Sequence, residues 1–389
     1  MNLGTRNPGK FQVGALLVSC IPNLSLLTGF VFGLSLVDGA AGDDLPRKAK
    51  IPRESYSNVD VIYDSVKTEG GKRLRTIITK PRNAKTKLPV IFVAGWLSCD
   101  SVEAPAGTKD ETGLVFRGLA QLPDFVLFRV DKQGVGDSEG VCSETDFEDE
   151  LAGYRAAFQA LSNYDFIDTN KIYILGISNG GAFAPRIPPD NDEAHQVRGY
   201  ISVGGWVKTW FEHMLEIERR RFTLMGKAPF EVNDSMKLAS ILYYEWLIGG
   251  KPINEIKLGW ATIKGHPQLA AIWPDGKDTS HLYGRPLRFY QDLQAANFAA
   301  DWSRVKVPTY VLRGQFDWIM SREDQELIAR FVNKNGDLAS FYEIPNTGHT
   351  FQHYLSLEDA FKDKRAPFDP KVTTLLVDWL RNQAITHED

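Results

Sequence analysis

From residue 59 onward the chain repeats one pattern: a short β-branched or aromatic run, a turn, then a longer stretch with apolar residues at helical spacing. The runs Leu88 to Ala94, Lys171 to Leu175, Gly199 to Val203, Pro308 to Arg313 and Ala339 to Ile344 predict strands buried on both faces. Helical periodicity covers 146–161, 321–333 and 372–383, with Ser321 placed to cap the second and Asp324 to complete a capping box. Strands alternating with helices predict an α/β domain, a mostly parallel sheet with helices on both faces. Before it, Val59 to Tyr63 and Leu74 to Lys80 flank Glu69-Gly-Gly-Lys72, a hairpin signal.

One connection breaks the rhythm. Roughly a hundred residues separate the strand ending at Val203 from the one starting at Thr309, far more than a crossover needs. Trp206, Trp210, Met214 and Ile217 recur at helical spacing, so the insertion is expected to open as an amphipathic helix. The stretches 237–248 and 286–302 also predict helices. Residues 205–303 are therefore expected to form a helical cap that divides a core of 55–204 and 304–389. Most of its aromatic residues, from Trp206 and Trp210 to Trp260, Trp273 and Tyr290, are assigned to packing, with a subset facing a cleft.

The N-terminus differs in character. Arg6 and Lys10 precede an uncharged, mostly apolar stretch from Phe11 to Val37, followed by Asp38-Gly-Ala-Ala41. Residues 1–41 predict a secretory signal peptide; an uncleaved membrane anchor and a lipoprotein signal ending at Cys20 are the alternatives. Each version exports the remainder, to the periplasm or outside the cell. Residues 42–54 are charged, contain proline and predict a linker. With 43% hydrophobic and 24% charged residues the chain as a whole has an ordinary globular composition. A net charge of −4 with no concentrated basic patch excludes nucleic acid as the expected partner, and Arg219-Arg-Arg221 is assigned to a solvated helix face.

Candidate chemistry sits in the turns after three strands. Residues 176–181 read Gly-Ile-Ser-Asn-Gly-Gly directly after a strand. A Gly-x-Ser-x-Gly elbow needs Gly176 and Gly180 because the strained turn that lifts Ser178 leaves no room for side chains beside it. Asp317 and His349 each lie just after a later strand, giving the order Ser178, Asp317, His349. A serine hydroxyl needs a base to take its proton, and the imidazole needs a carboxylate to fix its tautomer and stabilise its cation. Gly95-Trp96-Leu97, after the Leu88 strand, predicts an oxyanion loop. The backbone amides of Trp96 and Asn179 are the expected donors, with Leu97 in place of Trp96 if the loop is offset by one. The pair His349 and His353 lacks the glutamate of a zincin helix, and no other histidines cluster, so neither metal nor cofactor is expected.

With these residues in place, the chain resembles an α/β-hydrolase, and the Gly180-Gly181 pair is similar to the prolyl-oligopeptidase and dienelactone-hydrolase branches. The resemblance spans about residues 55–385 and implies an eight-stranded sheet. It also covers Arg129-Val-Asp-Lys-Gln-Gly-Val-Gly-Asp-Ser-Glu-Gly140, like the glycine-rich loop after the fourth strand of such proteins. One position departs from it: the usual His-Gly before the oxyanion loop is Ala94-Gly95. The fold would bring Cys99 and Cys142 into neighbouring loops, so a disulfide between them is expected after export. The function implied is an exported serine hydrolase cleaving esters of small or medium apolar acyl or aryl groups. A peptidase for short peptides is the near alternative, and a non-catalytic binder of apolar ligands the distant one. A membrane is a partner only if the N-terminal segment stays attached.

Overall fold

The computed structural model describes residues 45–190, 192–256 and 279–385. The expected signal segment 1–41, and Trp260 and Trp273 of the insertion, lie outside them. Eight strands form one sheet in the order β1-β2-β4-β3-β5-β6-β9-β10. Strands β1 (Val59–Lys67) and β2 (Arg73–Pro81) make the expected hairpin and pair antiparallel at one edge. Strand β2 runs antiparallel to β4 (Val126–Val130). From β4 onward, β3 (Leu88–Ala94), β5 (Ile167–Ile177), β6 (Val197–Val203), β9 (Thr309–Gly314) and β10 (Ala339–Ile344) are all parallel. The two short strands β7 (His281–Leu282) and β8 (Arg285–Pro286) form a separate hairpin in the insertion.

The two-residue period of a strand splits its side chains between two cores. Phe92 and Ile174 belong to one, with Phe147, Phe158 and much of the insertion; Ile91, Val93 and Leu175 belong to the other, with Phe116, Leu376 and Leu380. Both faces are covered, as a parallel sheet requires, and each such buried side chain contributes about 1.5–3 kcal/mol.

Helix ends follow local chemistry. Helix α1 (Glu111–Leu119) is capped by Asp110 and α2 (Phe147–Gln159) by Asp146. Ser321 caps the helix Arg322–Val332 as expected, yet Asp324 completes no box. Its carboxylate instead accepts from the amides of Val207 and Lys208, 2.8 and 3.0 Å away. Residues 204–209 lie outside helix. Helix α4 (Trp210–Leu224) therefore starts four residues later than Trp206, under a Thr209–Glu212 capping box. Helix α3 (Asn179–Phe183) is short and passes into a 3-10 turn containing Pro185. The insertion continues with α5 (Pro229–Tyr243), a π turn at Tyr244–Ile248, and helices Leu287–Ala295 and Phe298–Ser303, separated where Asn297 caps the second.

Residues 45–54, whose composition suggested a linker, lie against the core. The Leu45 carbonyl accepts from buried Arg75, and Glu54 makes a bidentate pair with buried Arg129 at 2.7 and 3.0 Å. Charges that look solvated in sequence are here paired in the interior. No helix among the described residues is long and apolar enough to cross a membrane.

Candidate active site

All the sequence-predicted site residues gather at the carboxyl ends of the parallel strands, where crevices form in open α/β sheets. Ser178 follows β5 with φ 56° and ψ −117°, a conformation that non-glycine residues avoid. The surroundings enforce it. A Cβ on Gly176 would lie 2.4 Å from the Gly180 carbonyl oxygen, and one on Gly180 would lie 2.1 Å from that of Ala94. The Ser178 amide donates to the Val203 carbonyl at 2.8 Å, tying the elbow to β6.

The turn after β9 presents Asp317. Its carboxylate accepts from the Ile319 and Met320 amides on one oxygen, both at 2.9 Å. The other oxygen accepts from Gln325 Nε2 at 3.2 Å and meets His349 Nδ1 at 2.9 Å. Burial pushes the Asp317 carboxyl upward. The charge and hydrogen bond of His349, the Met320 amide and Arg313 outweigh it and hold the group below the usual carboxylate range. A carboxylate facing Nδ1 places the proton there, leaving Nε2 to accept. His349 Nε2 lies 2.8 Å from Ser178 Oγ. The Asp317 and His349 turns touch backbone to backbone, since a Cβ on Gly314 would sit 2.0 Å from the Gly348 oxygen. A Cβ on Gly204, at φ 58°, would lie 2.8 Å from the His349 carbonyl oxygen and 3.0 Å from its ring, a close approach that the strand pattern did not reveal.

Trp96, Leu97 and Asn179 line the same cavity as Ser178 and His349. The Gly180 amide donates to the Gly95 carbonyl at 2.9 Å. Carbonyl and N–H point oppositely across a trans peptide, so this bond turns the Trp96 N–H away from the Gly180 amide. Asn179 is held by its side chain, whose Oδ1 accepts from Trp206 Nε1 at 3.0 Å. The Trp96 ring stacks on Phe116. Cys99 and Cys142 are joined by a disulfide beside this loop.

The cavity has a volume of about 730 Å³. One wall is apolar, formed by Trp210, Met214 and Ile217 of α4 with Trp318, Ile319 and Met320. The rest of the lining is polar and includes Ser98, Ser101, Thr108, Thr112 and Gln352 together with the charged Asp100, Glu103, Asp110 and Arg365. Of the insertion's aromatic residues, Trp210 and Tyr283 reach the cavity. Trp206, Tyr243, Trp246, Phe289 and Tyr290 are buried in an interlocked cluster, as with Trp206 and Phe298 at 4.9 Å between ring centroids. His213 was not singled out in the sequence, although it shares a helix face with Trp210 and Ile217. It is buried in the cavity wall, its Nδ1 has no hydrogen-bond partner among the described residues, and burial, with Arg220 and His349, pushes its pKa down to about 3. It is a neutral imidazole.

The strand order, the helices on both faces and the elbow after β5 define the α/β-hydrolase fold. No family model matches the sequence, and no curated protein matches it either. Solved structures do. Est1E from Butyrivibrio proteoclasticus, determined with ferulic acid bound, is 13% identical, covers 82% of this chain and 99% of its own, and superposes with a TM-score of 0.50. The α/β hydrolase GrgF from Penicillium sp. sh18 is 13% identical at TM-score 0.49, over 84% of this chain and 99% of its own. The esterase Pf2001 of Pyrococcus furiosus is 12% identical at TM-score 0.48, over 85% and 97%. This chain thus has the fold of the α/β-hydrolases.

Proposed function

We propose that the protein is an exported serine hydrolase of carboxylic esters with small or medium apolar acyl or aryl groups. The observation that carries this reading is the continuous relay from Asp317 through His349 to a strained Ser178 at a cavity wall. Ser178 Oγ attacks the ester carbonyl while His349 Nε2 takes its proton. The carbonyl oxygen becomes an oxyanion that the Trp96 and Asn179 amides receive, and neither amide donates to another acceptor among the described residues. His349 then returns the proton to the departing alcohol, and water enters by the same route to release the acid. Asp317, kept ionised, balances the imidazolium throughout.

The apolar wall of α4 and Trp318–Met320 supports an apolar acyl group, and the cavity volume falls within the usual range for small-molecule sites. The insertion supplies part of that wall, which supports its reading as a cap. The Cys99–Cys142 disulfide supports an oxidising compartment. The test is hydrolysis of p-nitrophenyl esters from acetate to palmitate by the protein and by Ser178→Ala. Turnover that disappears with Ser178 and peaks at short or medium chains agrees with the proposal. Equal turnover by both proteins, or cleavage of short peptides alone, contradicts it.

A further inference from the structure

The oxyanion loop departs from the resemblance at Ala94-Gly95, so something else must hold its shape. Behind it stands a buried lysine. Lys132 Nζ donates to the carbonyls of Trp96 at 2.5 Å, Ser98 at 2.6 Å and Leu97 at 3.4 Å. Lys132 lies outside the cavity onto which Ser178 opens, facing Glu150 and Tyr154 on the other side of the loop. Its neighbour Asp131 holds the far end of the same loop, accepting from Ser101 Oγ at 2.9 Å and the Val102 amide at 2.8 Å. Tyr154 holds the near end, its hydroxyl accepting from the Gly95 amide at 2.9 Å.

Peptide geometry turns these bonds into an orientation. Carbonyls drawn toward Lys132 leave the N–H groups of Leu97, Ser98 and Cys99 facing the other way. Trp96 therefore lies between two pinned peptides: Gly180 holds the Gly95 carbonyl, and Lys132 holds its own. An ammonium is suited to this task because it has three donors and no acceptor. Burial draws its pKa down to about 8, with Glu150, Asp100 and Asp131 opposing and Arg285 assisting, so the cation is retained at neutral pH.

We propose that Lys132 is the positioning residue of the oxyanion loop, gathering three successive carbonyls so that the Trp96 amide stays aimed at the developing oxyanion. The inference deepens the serine-hydrolase reading and rests on it for its catalytic consequence. Lys132 touches no reacting atom. Its removal should slow the chemical step and leave substrate binding alone.

The test compares Lys132→Met with the unmodified protein in two readouts: kcat and KM on a p-nitrophenyl ester, and hydrogen–deuterium exchange of the segment 95–102. The expected result is a loss of about 10- to 100-fold in kcat, short of losing a whole oxyanion donor. KM should stay within about threefold, and exchange should rise in 95–102 while the β5 and β6 segments stay protected. Unchanged exchange in 95–102, or a rise in KM with kcat intact, overturns the proposal. Should Lys132→Met fail to fold, Lys132→Gln, which keeps two N–H donors, is expected to show the same split with a smaller loss, and the same contrary results overturn it. If the unmodified protein hydrolyses no ester, the hydrolase reading fails by itself, and the exchange measurement still decides whether Lys132 holds the loop.

Discussion

Gly180→Ala places one methyl group between the nucleophile elbow and the strand that leads to the oxyanion loop. The added Cβ would meet the Ala94 carbonyl oxygen at 2.1 Å, its carbon at 2.5 Å and the Gly95 oxygen at 2.7 Å. These are backbone atoms of the last residue of β3 and of the residue after it, so no side-chain rotation relieves the clash. The elbow and the loop must part by about 0.9 Å merely to reach 3.0 Å, a separation that real Cβ contacts still avoid. The same movement stretches the Gly180 amide to Gly95 carbonyl bond, which orients the Trp96 N–H. A displacement near 1 Å at reacting groups costs about 100-fold in rate, or about 2.7 kcal/mol of transition-state stabilisation. Overpacking a well-filled site costs about 1–3 kcal/mol of stability as well. Steady-state kinetics on a p-nitrophenyl ester, with a thermal melt of each protein, reads both effects. Gly70→Ala is the control, because a Cβ there meets only Thr68 Oγ1 at an ordinary 3.8 Å. If Gly180→Ala keeps kcat within threefold of the unmodified protein while Gly70→Ala behaves normally, the steric account of the elbow is wrong.

His213 is held neutral in the folded protein, and its pKa rises to the ordinary value on unfolding. The unfolded chain therefore binds the extra proton, and stability attributable to this site is present above about pH 6.5 and is lost as pH falls toward 3. Urea unfolding at pH 7, 6 and 5 should show His213→Phe losing less stability on acidification, by on the order of 1 kcal/mol per pH unit below 6.5; parallel pH dependences would refute this. Reducing the Cys99–Cys142 bond, which spans 43 residues, should destabilise the protein by about 2–4 kcal/mol. Denaturant midpoints with and without reductant measure it, and coincident midpoints would contradict a structural disulfide.

The positions of the Ser178 elbow, the Asp317 and His349 turns and the Gly95–Ser98 loop were legible in the sequence because each is a local pattern: a strand, then a turn with a fixed residue type. The disulfide followed from the order of two strands that the resemblance supplied. The contacts of Lys132, Trp206 and Gln325 were not legible, because each reaches a residue brought to it by the fold. Trp206 reaches Asn179 across 27 positions, and Lys132 reaches Trp96 across 36. Asp324 shows the same limit from the other side. Its spacing from Ser321 fits a capping box, yet the arriving 207–208 backbone offers two amides to its carboxylate. The linker expectation for 42–54 has the same origin, since composition shows the charge of Glu54 but not its pairing with Arg129.

We propose that Ser178 is a nucleophile activated through His349. Labelling with a fluorophosphonate, followed by peptide mass mapping, tests it most directly in the unmodified protein and in Ser178→Ala and His349→Ala. A nucleophile so activated gives a single adduct on Ser178, none in Ser178→Ala, and labelling slowed by several orders of magnitude in His349→Ala. An adduct on another residue, no adduct at all, or labelling of His349→Ala at the unmodified rate would contradict it.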